Sequence, residues 1–346
     1  MLVKSVKLNN YRNYSSIQIP FHPDLNIIIG PNGIGKTNIL ESIIIVSNTK
    51  SFRTINDTDL IKKDTDYSKI SINSDVGKLD VVISGNNKSL IINDKPVKRS
   101  SEFIGKLNAV LFKPSDLELF NQSPKERRKL LDVEIGKTSK EYLNSILIYN
   151  SLLKDKNKLL KEEKTDDIYL NLINEKMIPE IYRIISYREK FFQTINSNIN
   201  YFYQKISDSD ANIKVIYKAC SDKETIKENI TRSIEKDKFY HYANYGPHHD
   251  DYYFTYNGIE LNSIASQGQI RISLIAFKFS LIKYIKDVTG LDPIILLDDV
   301  LSELDIENQK RLLKNLPPKS QIIITDTDIN GIDNIENYNL IELKEK

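Results

Sequence analysis

The pattern of apolar positions at the start of the chain predicts strands, a glycine loop and a helix. Apolar residues alternate over residues 2–8, and residues 17–20 have the pattern of a partner strand. Residues 25–29 form a short, mostly β-branched run that ends at Gly30, which is typical of a strand buried on both faces. A helical pattern follows over residues 36–46.

The centre of the chain changes from strands to helices. Three runs predict a β-meander, residues 69–73, 78–84 and 88–92. Ser123 is a good N-cap and Pro124 suits the first helical position, so a helix is expected to begin there. Apolar residues then recur at helical spacing to about residue 206, with Pro179 as a candidate break.

Strand patterns return after residue 212. Residues 213–217 and 252–256 are predicted strands, and Asn257-Gly258 after the second is a strong hairpin turn. The elements predicted beyond this turn are a helix over 269–285, a strand over 293–299, a helix over 306–313 and a strand over 321–325. Helices that alternate with buried strands indicate an α/β sheet.

Composition narrows the class of protein without identifying it. The 49 basic residues nearly balance the 47 acidic ones, so any nucleic-acid surface has to be a local patch. Cys220 is the only cysteine, which excludes an intrachain disulfide and makes a small buried side chain the expected role. No apolar run approaches the roughly 18 residues of a membrane helix. We therefore expect a cytoplasmic protein with no membrane partner.

The first chemical motif is the loop between the buried strand and the first helix. It has the form G-x-x-x-x-G-K-[ST], written here as Gly30-Pro31-Asn32-Gly33-Ile34-Gly35-Lys36-Thr37. Glycines let backbone N–H groups turn inward onto phosphate oxygens, and the helix start adds its positive dipole end. Lys36 is expected to bind the β- and γ-phosphates of ATP, and Thr37 to ligate Mg²⁺. A simple glycine turn is the alternative.

The second motif is an apolar strand that ends in two carboxylates, Asp298 and Asp299. In phosphate-loop enzymes the first carboxylate holds Mg²⁺, and we assign that role to Asp298. A second carboxylate beside it can orient or deprotonate the attacking water, so Asp299 is the candidate base. Because many strands end in aspartate, this motif is informative only in combination with the phosphate loop.

Two further motifs lie near this carboxylate pair. Ser266-Gln267-Gly268-Gln269 opens a helix about 30 residues before it and resembles the signature of ABC ATPases. Ser302-Glu303-Leu304-Asp305 follows it and resembles the D-loop. A capped helix or a turn is the alternative for each. The order of all four motifs resembles that of ABC ATPases, in which the signature of one copy caps the ATP of a second copy.

Stretches along nearly the whole chain are similar to the RecF family. The segments that carry this resemblance, apart from the phosphate loop, are Asn9-Asn10-Tyr11-Arg12-Asn13-Tyr14, Ser51-Phe52-Arg53-Thr54, Phe112-Lys113-Pro114-Ser115-Asp116-Leu117, Gly246-Pro247-His248-His249-Asp250-Asp251, Ala265-Ser266-Gln267-Gly268-Gln269-Ile270-Arg271 and residues 298–305. The weakest stretch is residues 154–240.

The resemblance implies an ABC-type ATPase head with an inserted helical lobe. The head would comprise residues 1–120 and 241–346, and the lobe residues 121–240. The implied nucleotide-binding residues are the phosphate loop, Arg12, Ser266, Gly268 and Gln269, with Thr37 and Asp298 at the metal and Lys36 and Asp299 in catalysis.

The resemblance also implies a function in DNA repair and replication. It implies a weak ATPase that dimerises on ATP, binds single-stranded, double-stranded and gapped DNA, and acts with RecR and RecO to load recombinase, including in the SOS response. Other SMC-like ATPases, linked to defence or to nucleases, and an ABC transporter subunit are the alternatives. The long helical insertion disfavours a transporter, as does the absence of a histidine after residues 321–325.

Several roles stay open at this stage. Thr325 and Thr327 are candidates for the γ-phosphate sensor, and Asp116 for the place of the Q-loop glutamine. The run His248-His249-Asp250-Asp251 has metal-ligand chemistry, but a structural role is the alternative, since adjacent residues on a strand point to opposite faces. Two basic clusters are candidates for DNA phosphate contacts or for solvated helix faces, Lys125, Arg127, Arg128 and Lys129 in one, and Lys154, Lys156, Lys158 and Lys161 in the other.

Overall fold

A computed structural model describes residues 1–162, 164–207, 209–301, 306–327 and 338–344. The chain divides into two compact units. The first unit comprises residues 1–117, 201–210 and 271–346, and the second comprises residues 118–200 and 211–270. Residues 241–270 were predicted to belong to the head, whereas here they group with the second unit, because strand Asp251–Tyr256 pairs with strand Ile213–Lys218.

The strands follow most of the predicted ones. In chain order they are β1 Val3–Tyr11, β2 Tyr14–Pro20, β3 Leu25–Ile29, β4 Tyr67–Ser74, β5 Gly77–Ser84, β6 Asn87–Ile92, β7 Lys95–Pro96, β8 Ala109–Phe112, β9 Ile213–Lys218, β10 Asp251–Tyr256, β11 Ile259–Glu260, β12 Ile294–Asp298, β13 Ile322–Asp326 and β14 Asn339–Glu342. The short strands β7, β8, β11 and β14 were not predicted.

The helices are more numerous than the sequence analysis expected. The α-helices are α1 Lys36–Asn48, α2 Ser100–Phe103, α3 Pro124–Thr138, α4 Lys140–Leu159, α5 Asp167–Ser207, α6 Ile226–Arg232, α7 Ile234–Tyr240, α8 Leu261–Ile264, α9 Gln267–Thr289 and α10 Ile306–Asn315. Short 3₁₀ turns span Asp57–Leu60, Pro114–Phe120, Lys223–Thr225 and Pro247–His249. No helix in the described parts of the chain is both long and apolar enough to span a bilayer.

The first unit holds two sheets, and α1 packs against both of them. One sheet is antiparallel, in the order β2-β1-β4-β5-β6-β7, and the other is parallel, in the order β14-β3-β13-β12-β8. Apolar side chains of α1 fill the space between them, and Ile39, Leu40, Ile43 and Ile45 are fully buried. The prediction of an α/β fold is therefore confirmed, and the parallel sheet is the platform for the site.

The second unit combines helices with the small sheet β11-β10-β9. Helix α3 begins as predicted, because Ser123 accepts a hydrogen bond from the backbone of Glu126 and the Glu126 side chain accepts one from the backbone of Ser123. The candidate break at Pro179 is wrong, since α5 continues through it. Ile181, Ile184 and Ile185 are fully buried just after the proline, so packing outweighs the lost backbone hydrogen bond.

Candidate nucleotide-binding site

The carboxyl edge of the parallel sheet in the first unit brings the predicted site residues together. Strand β3 leads into the loop of residues 30–37, β12 ends at Asp298, and β13 lies between them and carries Thr325. Ligands of open α/β sheets bind at this edge, because loops and helix starts converge there. The sheet order therefore places the phosphate loop opposite the carboxylates, although more than 250 residues separate them in sequence.

The glycines of the loop are required by its geometry. Gly33 and Gly35 have φ angles of 83° and 115°, a region that other residues rarely adopt. A Cβ atom on Gly35 would lie 2.5 Å from the hydroxyl of Tyr14, so the approach of β2 leaves no room for a side chain. Residues 31–33 are exposed, which leaves this part of the loop accessible to a ligand.

Lys36 is a buried cation without a carboxylate partner in the described part of the chain. Its side chain is 4% exposed, and Nζ donates hydrogen bonds to the carbonyls of Gly30 (2.7 Å) and Pro31 (3.3 Å). A buried charge that is not neutralised is costly. An ammonium held by the carbonyls of its own loop is therefore suited to an anion that arrives from outside, such as phosphate.

Asp298 is the last residue of β12 and is held by two hydroxyls. Its Oδ1 accepts hydrogen bonds from Thr37 and Thr325, both at 2.9 Å. Burial raises the pKa of this carboxyl above its ordinary value, although the two hydroxyls and the charge of Arg53 oppose the shift. A hydroxyl and a carboxylate side by side are oxygen ligands of the kind that Mg²⁺ takes in phosphate-loop proteins.

Asp299 follows with a backbone that few residues adopt. Its φ angle is 50°, and its N–H points toward the carbonyl (3.3 Å) and the hydroxyl (3.2 Å) of Thr325. Burial raises the pKa of Asp299, and repulsion from Asp298 adds to the shift. A carboxylate with a raised pKa is a stronger base, which suits the predicted role in activating water.

The residues present fit ATP and Mg²⁺. A phosphate-loop site supplies a hydroxyl and one carboxylate to the metal, and phosphate oxygens and water complete the shell. This explains why the described residues contain no cluster of three or more His, Cys, Asp or Glu side chains suited to a metal, while Thr37 and Asp298 still form a suitable pair.

The signature residues form a capped helix start in the second unit. The Ser266 hydroxyl accepts a hydrogen bond from the Gln269 N–H (3.3 Å), and the Gln269 side chain accepts one from the Ser266 N–H (2.8 Å). This is the capping box that the alternative interpretation expected. Ser266 and Gly268 are nevertheless exposed, so their polar groups remain accessible. The predicted D-loop, residues 302–305, lies outside the described residues.

The Arg12 side chain hydrogen-bonds to α1 and to the 3₁₀ turn that follows it, and its neighbour Asn13 contacts the phosphate loop. Its Nε and Nη2 donate to the two oxygens of Glu41, at 2.9 and 2.6 Å, and Nη1 donates to the carbonyl of Asp59 at 3.0 Å. The next residue, Asn13, donates instead to the carbonyl of Ile34 in the loop, at 2.8 Å. Sequence reasoning missed Glu41, although a single acid within the apolar run of α1 is an unusual feature.

The remaining candidates for phosphate sensing occupy different places. Thr325 is fully buried and bonded to Asp298, whereas Thr327 is exposed and bonded to Asp326. Asp116 accepts hydrogen bonds from the Lys113 N–H (3.0 Å) and pairs with Lys278 (3.1 Å). Thr325 is therefore the candidate sensor at the site, and Asp116 anchors the turn after β8.

The two basic clusters are only partly available to DNA. Arg127 makes a two-pronged ion pair with Asp251, and Arg128 donates to the carbonyl of Asp250. Lys156 is fully buried and lies 2.7 Å from Asp237. Lys156 is therefore wrong as a DNA contact, because it is buried, whereas Arg127 and Arg128 are half-buried and already engaged by partners within the fold. The exposed members are Lys125, Lys129, Lys154, Lys158 and Lys161.

The run from His248 to Asp251 belongs to a hydrogen-bonded network in the second unit, in which Asp250 is buried and His249 is exposed. The two histidines approach the carbonyl of Ala243, and His248 also bonds to the Tyr149 hydroxyl. Burial lowers the pKa of His248 to about 4, so the ring is neutral. Asp250 pairs with the buried Arg188 at 2.5 Å. The structure thus favours the structural interpretation over a metal site.

Comparison with known proteins agrees with this geometry. The family model described as the RecF/RecN/SMC N terminal domain matches residues 2–345. The DNA replication and repair protein RecF of Acholeplasma laidlawii is 36% identical over 333 residues, which cover 95% of each chain. The RecF of Oenococcus oeni is 38% identical over 356 residues, covering 96% of this chain and 95% of that one. The chain belongs to the RecF family.

Solved structures extend the comparison to three dimensions. The recombination mediator protein RecF of the RecFOR pathway with ATPrS is 30% identical and superimposes with a TM-score of 0.89, over 99% of this chain and 96% of that one. The Smc head domain of Pyrococcus furiosus is 19% identical with a TM-score of 0.58, over 99% of this chain and 94% of that one, and shows the fold alone. The predicted ABC-type ATPase head fold and the predicted family are both confirmed.

Proposed function

We propose that the protein is an ATP-dependent DNA-binding protein of recombinational repair and replication restart. The observation that carries this proposal is the edge where the buried Lys36 ammonium, Thr37 and Asp298 converge. This arrangement suits MgATP, and the relatives that cover nearly the whole chain are named DNA replication and repair proteins. The protein would act in the cytoplasm, on gapped DNA with single- and double-stranded parts.

The site residues have distinct roles in this proposal. Lys36 neutralises phosphate charge, Thr37 and Asp298 hold Mg²⁺, and Asp299 accepts the proton of the attacking water. Bound ATP would supply a phosphoanhydride bond, and hydrolysis of that bond would end ATP binding. The buried Thr325 keeps Asp298 in place through its hydroxyl and its neighbour Asp299 through its carbonyl. Turnover is slow, because the nucleotide serves as a switch.

Dimerisation on ATP is the second part of the proposal. Ser266 and Gly268 are exposed at the start of α9, where a hydroxyl, backbone N–H groups and the helix dipole suit phosphate. They would contact the ATP of a second copy, so that nucleotide joins two heads. RecR and RecO are the proposed partners, and loading of recombinase at gaps is the proposed outcome. A structure of a RecF relative is described as belonging to the RecFOR pathway.

The test measures mass and DNA affinity together. Light scattering with and without MgATP should show a dimer only with the nucleotide, and a gapped duplex should bind more tightly under the same condition. Ser266→Arg places a bulky cation at the signature and should abolish dimerisation while ATP still binds to the monomer. Dimerisation of Ser266→Arg like the wild type would contradict the proposal.

Mixed mutants give a matched control. Lys36→Ala supplies an intact signature, and Ser266→Arg supplies an intact phosphate loop, so their mixture restores one complete site. Neither variant alone should hydrolyse ATP, and the mixture should recover part of the activity if one site is sufficient. If the protein hydrolysed ATP as a monomer, or did not bind DNA, the result would favour another class of SMC-like ATPase.

A further inference from the structure

Glu41 is a buried acid in the middle of the apolar helix α1. It is fully buried, yet four donors surround its two oxygens. The Tyr11 hydroxyl lies at 2.8 Å, Arg12 Nε and Nη2 at 2.9 and 2.6 Å, and the Ser51 hydroxyl at 2.6 Å. A carboxylate inside a core is tolerated only when its hydrogen bonds are satisfied, as they are here.

The protonation state of this acid follows from the same contacts. Burial by itself raises the pKa of the Glu41 carboxyl. Hydrogen bonds from Arg12 and Ser51 outweigh burial and hold the pKa below its ordinary value. Glu41 is therefore ionised at neutral pH, and it forms a two-pronged charge-assisted pair with Arg12, the strongest geometry for such a pair.

One set of donors comes from the turn between β1 and β2. Arg12 has a φ angle of 53°, and its N–H is fixed by the carbonyl of Leu60 at 2.9 Å. Asn13, next in the turn, donates to the carbonyl of Ile34 in the phosphate loop at 2.8 Å. The turn that presents Arg12 is thus attached to the phosphate loop on one side and to Glu41 on the other.

The other donor comes from the loop after α1. The Ser51 hydroxyl, bonded to Glu41, accepts hydrogen bonds from the N–H groups of Arg53 (2.9 Å) and Thr54 (3.1 Å). The Arg53 guanidinium donates to Asn38 on α1 at 2.7 Å. One carboxylate therefore fixes two segments, the turn that contacts the phosphate loop through Asn13 and the loop whose Arg53 contacts Asn38 on α1.

We propose that Glu41 is a positioning residue for nucleotide binding, which fixes Arg12 and the turn that carries it against the phosphate loop. The inference rests on the proposed function and on the role in nucleotide binding that the resemblance to the RecF family implies for Arg12. A buried ion pair that serves only the stability of α1 is the competing explanation. The two explanations differ in whether Glu41 acts on ATP affinity, and whether it does so through Arg12.

A double-mutant cycle on ATP affinity separates them. The dissociation constant of MgATP is measured by fluorescence titration for the wild type, Glu41→Gln, Arg12→Ala and the double variant. Glu41→Gln keeps the size of the side chain and removes its charge. It should weaken ATP binding tenfold or more, Arg12→Ala should do the same, and the double variant should be no weaker than Arg12→Ala alone.

Stability is followed in parallel by urea unfolding without nucleotide. Asp80→Asn is the matched control, because Asp80 is a buried acid of the same unit that pairs with Lys69 at 3.0 Å on the antiparallel sheet. It should lower stability and leave the ATP dissociation constant within twofold of the wild type. A purely structural Glu41 would behave like Asp80, with lost stability and unchanged affinity, and that result would overturn the inference.

Ser51→Ala provides a milder test if Glu41→Gln does not fold. It removes one hydrogen bond to Glu41 and leaves the Arg12 pair, and it should weaken ATP binding about threefold in the wild-type background and not in Arg12→Ala. If the effects of the two substitutions on the ATP dissociation constant multiplied in either cycle, the inference would be overturned, because Glu41 would then act independently of Arg12. A wild-type protein that does not bind ATP would instead overturn the proposed function, and the inference with it.

Discussion

Each of the two units buries a group of charged side chains, but the two groups differ in how they are satisfied. In the second unit, Arg188 is fully buried and contacts Asp132 at 2.7 Å and Asp250 at 2.5 Å. In the first unit, the partners found among the described residues are loop carbonyls for the buried Lys36 and hydroxyls for the buried Asp298. The charges around Arg188 are therefore neutralised within the second unit, whereas Lys36 and Asp298 have no partner of opposite charge bonded to them among the described residues.

This difference distinguishes a structural network from a binding site. A buried charge needs a partner, and Arg188 finds two carboxylates in its own unit. Lys36 and Asp298 have the opposite charges that would satisfy each other, yet hydrogen bonds hold each one apart at the sheet edge. In the proposed function, MgATP would supply the missing partners, because Asp298 would help to hold the metal and Lys36 would bind phosphate.

The largest effect is expected from breaking the complete network. Arg188→Leu leaves two carboxylates without their cation, and loss of one partner of a buried pair costs about 3–5 kcal/mol of unfolding free energy. Urea unfolding monitors this loss. Arg232→Leu is the control, since it breaks the exposed pair with Glu228 and should change stability by less than about 1 kcal/mol. Equal effects would show that burial does not distinguish the two pairs.

The reciprocal experiment is Lys36→Ala at the incomplete site. Because no carboxylate among the described residues pairs with the ammonium, its removal should change stability little, by less than about 1 kcal/mol. It should weaken MgATP binding strongly, by roughly a hundredfold or more, since a buried charge–charge contact with phosphate is lost. Calorimetric titration measures the affinity. If Lys36→Ala bound and hydrolysed ATP almost as the wild type does, the assignment of residues 30–37 as a phosphate loop would be contradicted.

Asp299→Asn separates catalysis from binding at the same edge. The amide keeps the size of the side chain but cannot accept the proton of water, so hydrolysis should fall by about a hundredfold or more while MgATP still binds. The variant should accumulate as an ATP-bound dimer, which light scattering beside a phosphate-release assay detects. Hydrolysis at the wild-type rate would place the base elsewhere.

The pH profile sharpens the assignment of Asp299. Burial and Asp298 raise the pKa of its carboxyl, so the protonated, inactive form appears at higher pH than for an ordinary aspartate. The wild-type hydrolysis rate should therefore fall as pH decreases through this raised pKa. The residual rate of Asp299→Asn should lack this acid limb. If the hydrolysis rates of both proteins fell over the same acidic pH range, the fall would belong to a group other than Asp299.

The smallest effect concerns stability at Asp298. Burial raises the pKa of this carboxyl in the folded state, so ionisation destabilises the folded protein, and stability should rise as pH falls through that pKa. Asp298→Asn removes the charge and keeps an acceptor for Thr37 and Thr325. At pH 7 without nucleotide it should unfold at a slightly higher urea concentration than the wild type, and it should lose Mg²⁺-dependent ATP binding. A lower stability of Asp298→Asn than of the wild type would contradict the comparison between the buried charges of the two units.

Local patterns along the chain were sufficient for most of the fold. The strand before the phosphate loop, the helix α1 after it, the capping box of α3 and the turn at Asn257-Gly258 all lie where the pattern predicts them. Each is specified by residues within a few positions of each other. The strands β8 and β14 are only four residues long, and a run of that length gives too little periodicity to be recognised.

The sequence by itself determined the order and chemistry of the motifs, because glycines, a lysine and adjacent aspartates have fixed conformational and chemical properties. Only the tertiary structure decided which charged groups are already paired. Arg127 meets Asp251 across 124 positions, and Lys156 meets the distant Asp237, so no local pattern could show that these cations are engaged. The same applies to Glu41 and Arg12, whose pairing depends on the packing of α1 against both sheets.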